Sequence, residues 1–382
     1  VSPHAGAERE ERDTVSLSPQ LQRSSFQELP GWQEDKGISA ALDAFSRSAR
    51  RVRVKPYRSG ALGLRLEAFG EAFDRAAGIA GPVSDAQARM FFEQFFVPYC
   101  VMPEAGARSL VTGYYEPVAE ASLVRTDEYL QPLYRQPDDL MEIEDPASLP
   151  GWDPSFRFGR KTADGFEQYF DRGEIDRGAL EGRGLELCWL KDRVDTFFIH
   201  VQGAARLKLA DGSHMRVTYA AKTGHPFTGI GRVLADMGEI PLAEVTMQSI
   251  RRWLAEHPER MDEVLWQNRS YIFFRETEPG DPALGPVAAA KVQLTPGRSI
   301  AVDRLLHTFG TPLFISSPGL EPVFGEPFQR LMIAQDTGSA ILGAARADLF
   351  IGTGQAAGEI AGVIKHDAAF FVLVPRSLAG ES

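Results

Sequence analysis

The chain has 382 residues, 43% hydrophobic and 24% charged, with a formal net charge of −11. This is a globular rather than a disordered composition, and at roughly 150 residues per domain it suggests two domains or three. The acidic balance argues against nucleic acid as a partner, because tracking phosphates requires a basic surface that releases counterions. No apolar run approaches the roughly 18 residues of a membrane helix.

The first residues, VSPHAGAEREERD, show no positive segment leading into an apolar core. Either no signal peptide is present or the chain is a processed form. Residues 1–25 read as a flexible arm and Phe26–Trp32 as an anchoring loop. An amphipathic helix is predicted near Ile38–Arg50, and two further helical patterns follow it. In the second of these, Ser84 or Asp85 caps a helix running to Phe96, with Pro98 as its stop. Phe91, Phe92, Phe95 and Phe96 form an aromatic stripe on one face of that helix, which is a core signature.

From Leu110 to about Tyr219 the pattern is strand-like, and Phe197–Val201 alternates apolar and polar residues. Arg206–Leu209 and Met215–Tyr219 flank Asp211-Gly212, a hairpin signal because Asp-Gly supplies positive φ. A helix is predicted at about Ala243–Glu256, with Met247, Ile250 and Leu254 on one face and Pro258 ending it. Short strands punctuated by Gly and Pro occupy Ser270–Pro375. The pattern describes a mostly β protein with peripheral helices. Cys100 and Cys188 lie in apolar settings and read as two buried thiols, with one disulfide left open. The seven histidines are scattered without a His-Glu-x-x-His pattern, so neither a metal nor another cofactor is expected.

Three aspartates follow short apolar strands near the C-terminus: Asp303, Asp336 and Asp348. A carboxylate after a buried strand is costly unless hydrogen-bonded or paired. An Asx-turn or cap accounts for Asp303 alone, whereas three in one β unit favour a functional cluster. Convergence of Asp336 and Asp348 would raise one pKa by repulsion and partial burial, giving a general acid near neutral pH. The run Asp336-Thr337-Gly338-Ser339 also looks like half of an aspartic protease site. That chemistry needs two such motifs, and the other Asp-Thr pairs, at 13 and 195, are not followed by glycine. Gly352-Thr353-Gly354 through Gly358 mimics a dinucleotide loop, but only 24 residues follow it, too few for further βα units. It reads instead as a tight turn that lets backbone and substrate approach closely.

Several ordered motifs resemble the membrane-bound lytic murein transglycosylase A family. They are Thr112–Pro117 (TGYYEP), Val194–Gly203 (VDTFFIHVQG), Tyr219–Gly231, Gln267–Phe274 and the block Asp336–Gly362. The likeness covers most of the chain from about Phe26 to Pro375. It implies a double-psi β-barrel domain drawn from 26–115 and 241–382, a second β-rich domain inserted at 116–240, and a substrate groove between them. It also implies a peptidoglycan lytic exotransglycosylase that cleaves the β-1,4 bond between N-acetylmuramic acid and N-acetylglucosamine and leaves 1,6-anhydromuramyl ends. Asp348 matches the acid/base and Asp336 its supporting aspartate. Thr112, Tyr114, Gln202, Lys222, Asp303 and Ser339 are the candidate substrate-binding residues.

The family likeness further implies a periplasmic monomer acting on glycan strands, with a possible lipid anchor on the outer membrane. Two departures stand out. Ser339 replaces a second glycine, and Gln202-Gly203-Ala204-Ala205 replaces Gln-Gly-Ser-Gly. A non-catalytic peptidoglycan-binding module and an aspartic protease are the alternative functions.

Overall fold

The computed structural model describes residues 16–380. In chain order its strands are β1 (Leu21–Arg23), β2 (Phe96–Val101), β3 (Leu110–Glu116), β4 (Val118–Ser122) and β5 (Gln131–Tyr134). Then come β6 (Leu140–Glu142), β7 (Phe158–Thr162), β8 (Gly165–Glu167), β9 (Glu186–Leu190), β10 (Ala204–Leu209), β11 (His214–Lys222) and β12 (Ile272–Thr277). The last are β13 (Ser299–Val302), β14 (Pro312–Ser317), β15 (Phe328–Asp336), β16 (Arg346–Thr353), β17 (Lys365–Asp367) and β18 (Ala369–Pro375).

A nine-stranded sheet has the order β1-β2-β18-β14-β15-β13-β16-β3-β17. Its pairing runs from one edge to another rather than closing on itself. A six-stranded sheet, β12-β11-β10-β4-β9-β5, and a three-stranded one, β6-β7-β8, are built from the middle of the chain. Because β12 pairs with β11, the six-stranded sheet extends to residue 277, beyond the expected boundary at 240.

Helices cover the large sheet. α1 (Ile38–Val54), α2 (Gly70–Ala77) and α3 (Asp85–Phe95) carry its buried aromatic cluster. Phe91, Phe92 and Phe96 all pack around Phe45 with ring centroids 5.8–5.9 Å apart, so the stripe is core as expected. Ser84 caps α3 by accepting from the Gln87 amide. The helix ends at Phe95, however, and Pro98 lies inside β2 rather than acting as a stop. The residue before a proline is driven toward extended backbone, which suits a strand as well as a helix end. The proposed arm is shorter than expected: Leu21–Arg23 pairs with β2, while residues 1–15 of the arm lie outside the described residues.

Past the large sheet's first strands, the helices include a short turn α4 (Arg172–Glu174), α5 (Arg193–Gln202), α6 (Ile230–Asp236) and α7 (Met247–Glu256). α5 overturns a strand reading: Phe197–Val201 is helical. The alternation FFIHV is compatible with both periods. Asp192 decides the outcome by accepting from the Asp195 amide, and Gly203, at φ 79°, ends the helix. Val194, Phe197 and Phe198 then bury at helical spacing against Leu254 and Leu265. Both cysteines are free thiols. No helix among the described residues is long and apolar enough to cross a membrane.

One buried ion pair ties the N-terminal segment to the sheet. Asp35 and Arg298 are almost fully buried, with Oδ1···Nη2 at 2.8 Å and Oδ2···Nη1 at 2.9 Å. The Leu331 amide also donates to Asp35 Oδ2 at 2.9 Å. Removing one partner strands a desolvated charge, so Asp35→Ala is expected to destabilise the chain by about 3–5 kcal/mol in urea unfolding. A loss under about 1 kcal/mol would refute that role.

Candidate active site

The site is organised as a row across four strands. β13 pairs with β15 on one side and β16 on the other, so Ala301 stands opposite Asp336 in one ladder and opposite Asp348 in the other. β16 then pairs in parallel with β3, placing Thr112 beside Asp348. The two aspartates therefore stand two strand spacings apart, about 10 Å between backbones, with only an alanine methyl between them.

A β-bulge makes this register possible. Ile300 faces Ala334 but Ala301 faces Asp336, so Gln335 is the extra residue. Gln335 is fully buried and donates to Ala44 O and Ser48 Oγ of α1 while accepting from Ser299 Oγ. Bulges re-aim the side chain that follows them, and here the one re-aimed is Asp336.

Strand β3 supplies polar partners for both carboxylates. Thr112 donates its hydroxyl to Asp348 Oδ1 and receives Arg346 Nη2 at 2.7 Å. Tyr114 donates to Asp336 Oδ2 at 3.0 Å, and the Ala289 amide donates to Oδ1 at 3.1 Å. Burial raises the pKa of both aspartates above the ordinary 3.8. At Asp348 the rise is opposed by the Arg346 guanidinium and the Thr112 hydroxyl. At Asp336 it is opposed by three hydrogen bonds and reinforced by repulsion from Asp348. Burial thus governs both aspartates, and at Asp336 repulsion adds to it. Burial and the two negative charges push Tyr114 far up, so it stays a donor.

The six-stranded sheet reaches the same place. Lys222, the last residue of β11, donates to Ser339 Oγ at 3.2 Å, and burial beside Arg304 and Arg157 lowers its pKa. Gln202, at the end of α5, accepts from the Tyr115 amide at 3.1 Å and so braces β3. Asp303 does not join the cluster. Its Oδ1 accepts from the Leu305 amide and its Oδ2 from Gly343, both at 3.0 Å, a turn-and-loop clasp that occupies both oxygens. Ala204 and Ala205 are buried in β10, so neither presents a surface to a groove.

Sequence reasoning missed Arg346 and the cluster around Glu116. Arg346 lies two residues before Asp348 on β16, a spacing that puts both on one face and could have flagged it. Glu116, fully buried, meets Arg216 at 2.7 Å, Arg206 at 3.2 Å and the Thr353 hydroxyl at 2.7 Å. The glycine-rich turn at 352–358 is also explained structurally. A Cβ on Gly358 would stand 2.8 Å from the Tyr115 ring, so this glycine makes room for β3 rather than for a ligand.

Comparison with known proteins places the chain among relatives. A model described as the MltA specific insert domain matches residues 110–275, and a 3D domain model matches 298–374. A membrane-bound lytic murein transglycosylase structure from Agrobacterium tumefaciens is 46% identical, with a TM-score of 0.88, over 94% of this chain and 99% of that one. Membrane-bound lytic murein transglycosylase A of Escherichia coli K12 is 34% identical over 275 residues, which are 70% of this chain and 66% of that protein. A structure of E. coli MltA with bound chitohexaose is 25% identical with a TM-score of 0.66, covering 94% of this chain and 96% of that one. The chain belongs to the membrane-bound lytic murein transglycosylase A family.

Proposed function

We propose that this chain is an active lytic transglycosylase with Asp348 as its single acid/base. The observation that carries the reading is a carboxyl held protonatable by burial, beside a hydroxyl and a guanidinium, in a row with a second aspartate. The bound chitohexaose of the E. coli relative supports a glycan as the ligand class. The substrate is the β-1,4 bond between N-acetylmuramic acid and N-acetylglucosamine of peptidoglycan.

In this mechanism the Asp348 carboxyl gives its proton to the glycosidic oxygen as the C1–O bond breaks. The muramyl C6 hydroxyl then attacks C1 and its proton passes to the Asp348 carboxylate, which restores the acid. No water is consumed, and the product carries a 1,6-anhydro ring. Ordinary glycosidases need a second carboxylate for water or for a covalent intermediate; here the sugar supplies the nucleophile. Arg346 stabilises the carboxylate once the proton has left. Asp336, held by Tyr114 and Ala289, supports the charge that develops at C1, and Thr112 orients Asp348.

We read residues 117–277 as the inserted domain and the nine-stranded sheet as a double-psi arrangement. The parallel pairs β13·β15 and β16·β3 support that reading. The groove between the sheets, bridged by Lys222 and Ser339, takes the glycan. The chain acts as a monomer in the periplasm, and a lipid anchor to the outer membrane fits the membrane-bound naming of the relatives.

Asp348→Asn is expected to keep the fold and lose roughly 10²-fold or more in turnover, as for removal of a general acid. Turnover is measured as anhydromuropeptide release from murein sacculi. Undiminished release would reject Asp348 as the acid/base, and a hydrated reducing end in the product mass spectrum would make the chain a hydrolase instead. A pH profile gives a second check. The acid form must initiate cleavage, so turnover falls as pH rises through Asp348's raised pKa. Arg346→Gln removes a nearby cation, raises that pKa further and moves the alkaline limb of kcat to higher pH. A shift toward lower pH would contradict the assignment.

A further inference from the structure

A polar hollow outside the carboxylate row lies within the middle of the chain. It is a cavity of about 300 Å³ whose wall includes Arg125, Tyr134, Arg172, Glu181, His200 and Tyr271. Its chemistry is unusual for a packing defect, because both ring nitrogens of the buried His200 have no protein partner.

His200 is 95% buried, and neither ring nitrogen has a hydrogen-bond partner. Its ring stands edge-on to Tyr271 at 4.3 Å. Burial and the neighbouring Arg172 hold it neutral, so it offers one N–H donor and one acceptor. Arg172 is 96% buried. Its Nε and Nη2 donate to the carbonyls of Asn268 and Ser270, and its guanidinium lies over the Phe197 and Tyr271 rings at 4.8 and 5.2 Å. Among the described residues no carboxylate closes an ion pair with it. The nearby Asp176 is engaged by Arg193 at 3.3 Å and by the Trp266 indole at 3.0 Å. Tyr271 is 3% exposed, and its hydroxyl has no hydrogen bond among the described residues.

A desolvated guanidinium without a counter-charge and an imidazole without partners are both costly. One ligand group, a carboxylate, would satisfy Arg172, the His200 N–H and the Tyr271 hydroxyl together. On the same wall Glu181 has no ion pair among the described residues and suits an ammonium group. We propose that this cavity is a second binding site, for a small α-amino carboxylate such as an amino acid or a dipeptide. Its carboxylate meets Arg172 and His200, and its amine faces Glu181.

The site lies apart from the carboxylate row yet shares a helix with it. His200 and Gln202 project about 200° apart around α5. The first therefore faces the cavity while the second braces β3. The inference does not depend on the proposed cleavage reaction, and its test needs no turnover.

The test is isothermal titration calorimetry of the full chain, in wild-type and Asp348→Asn forms, with D-alanine, D-alanyl-D-alanine and acetate. Saturable binding of D-alanine or the dipeptide is expected in both forms, with acetate weaker. His200→Phe keeps the aromatic contacts but removes both nitrogens, and should weaken binding by about tenfold or more. Glu181→Gln, at an exposed position, should weaken the amino carboxylates and leave acetate unchanged. It keeps the test decisive if His200→Phe folds poorly. Absence of saturable binding up to about 10 mM, or unchanged binding in a folded His200→Phe chain, would overturn the site. Equal loss of acetate and D-alanine in Glu181→Gln would overturn the amino-carboxylate assignment.

Discussion

The junction between the two large sheets depends on one buried carboxylate. Glu116 has no solvent exposure and is answered by two guanidinium groups from the six-stranded sheet and a hydroxyl from β16. Such a group tolerates little displacement, because withdrawing either arginine leaves a charge in a medium that penalises it by several kcal/mol. The hydrogen-bond demands of Glu116 therefore fix β10 and β11 against the end of β3. Everything that the two sheets present to each other, including the Lys222–Ser339 contact, inherits that alignment.

β3 turns this constraint into a site. Successive side chains on a strand alternate, so Thr112, Tyr114 and Glu116 share a face. Each meets a different partner: Asp348, Asp336 and the arginine pair. The backbone between them is held by Gln202 at the Tyr115 amide. A single strand thus positions Asp348, Asp336 and the docking of the second sheet, and small shifts at one end are passed to the other.

Much of this was legible in the residues and part was not. The pairing of Asp336 with Asp348, and the nearness of Thr112 and Tyr114, followed from recognising ordered motifs, and the ladder registers bring those residues together. Local signals also gave α1, the Ser84 cap and the Asp211-Gly212 hairpin. The α5 segment was misread because five residues of alternating polarity do not distinguish periods 2 and 3.6; the cap at Asp192 carried the missing information. The Asx-turn reading of Asp303 holds, with Oδ1 accepting from the Leu305 amide, whereas its place among the substrate-binding candidates arose because a strand-terminal aspartate looks alike whether it holds a ligand or two backbone amides. The Gln335 bulge left no local sign, since its cause is a distant helix accepting a buried amide.

In the proposed mechanism one carboxyl suffices, and the environment of Asp348 is suited to that. A general acid must hold its proton before reaction and release it without stranding a buried anion. Burial supplies the first property, and Arg346 with Thr112 supplies the second. Both partners act more strongly on the charged form, so the site gains electrostatic stabilisation as the proton departs. Asp336 has Lys291 as its charged neighbour and is tied by three donors, two of them backbone amides. It is thereby fixed in place rather than poised to exchange a proton. The two aspartates differ in surroundings because β16 carries an arginine two residues before its aspartate, and β15 carries a bulge.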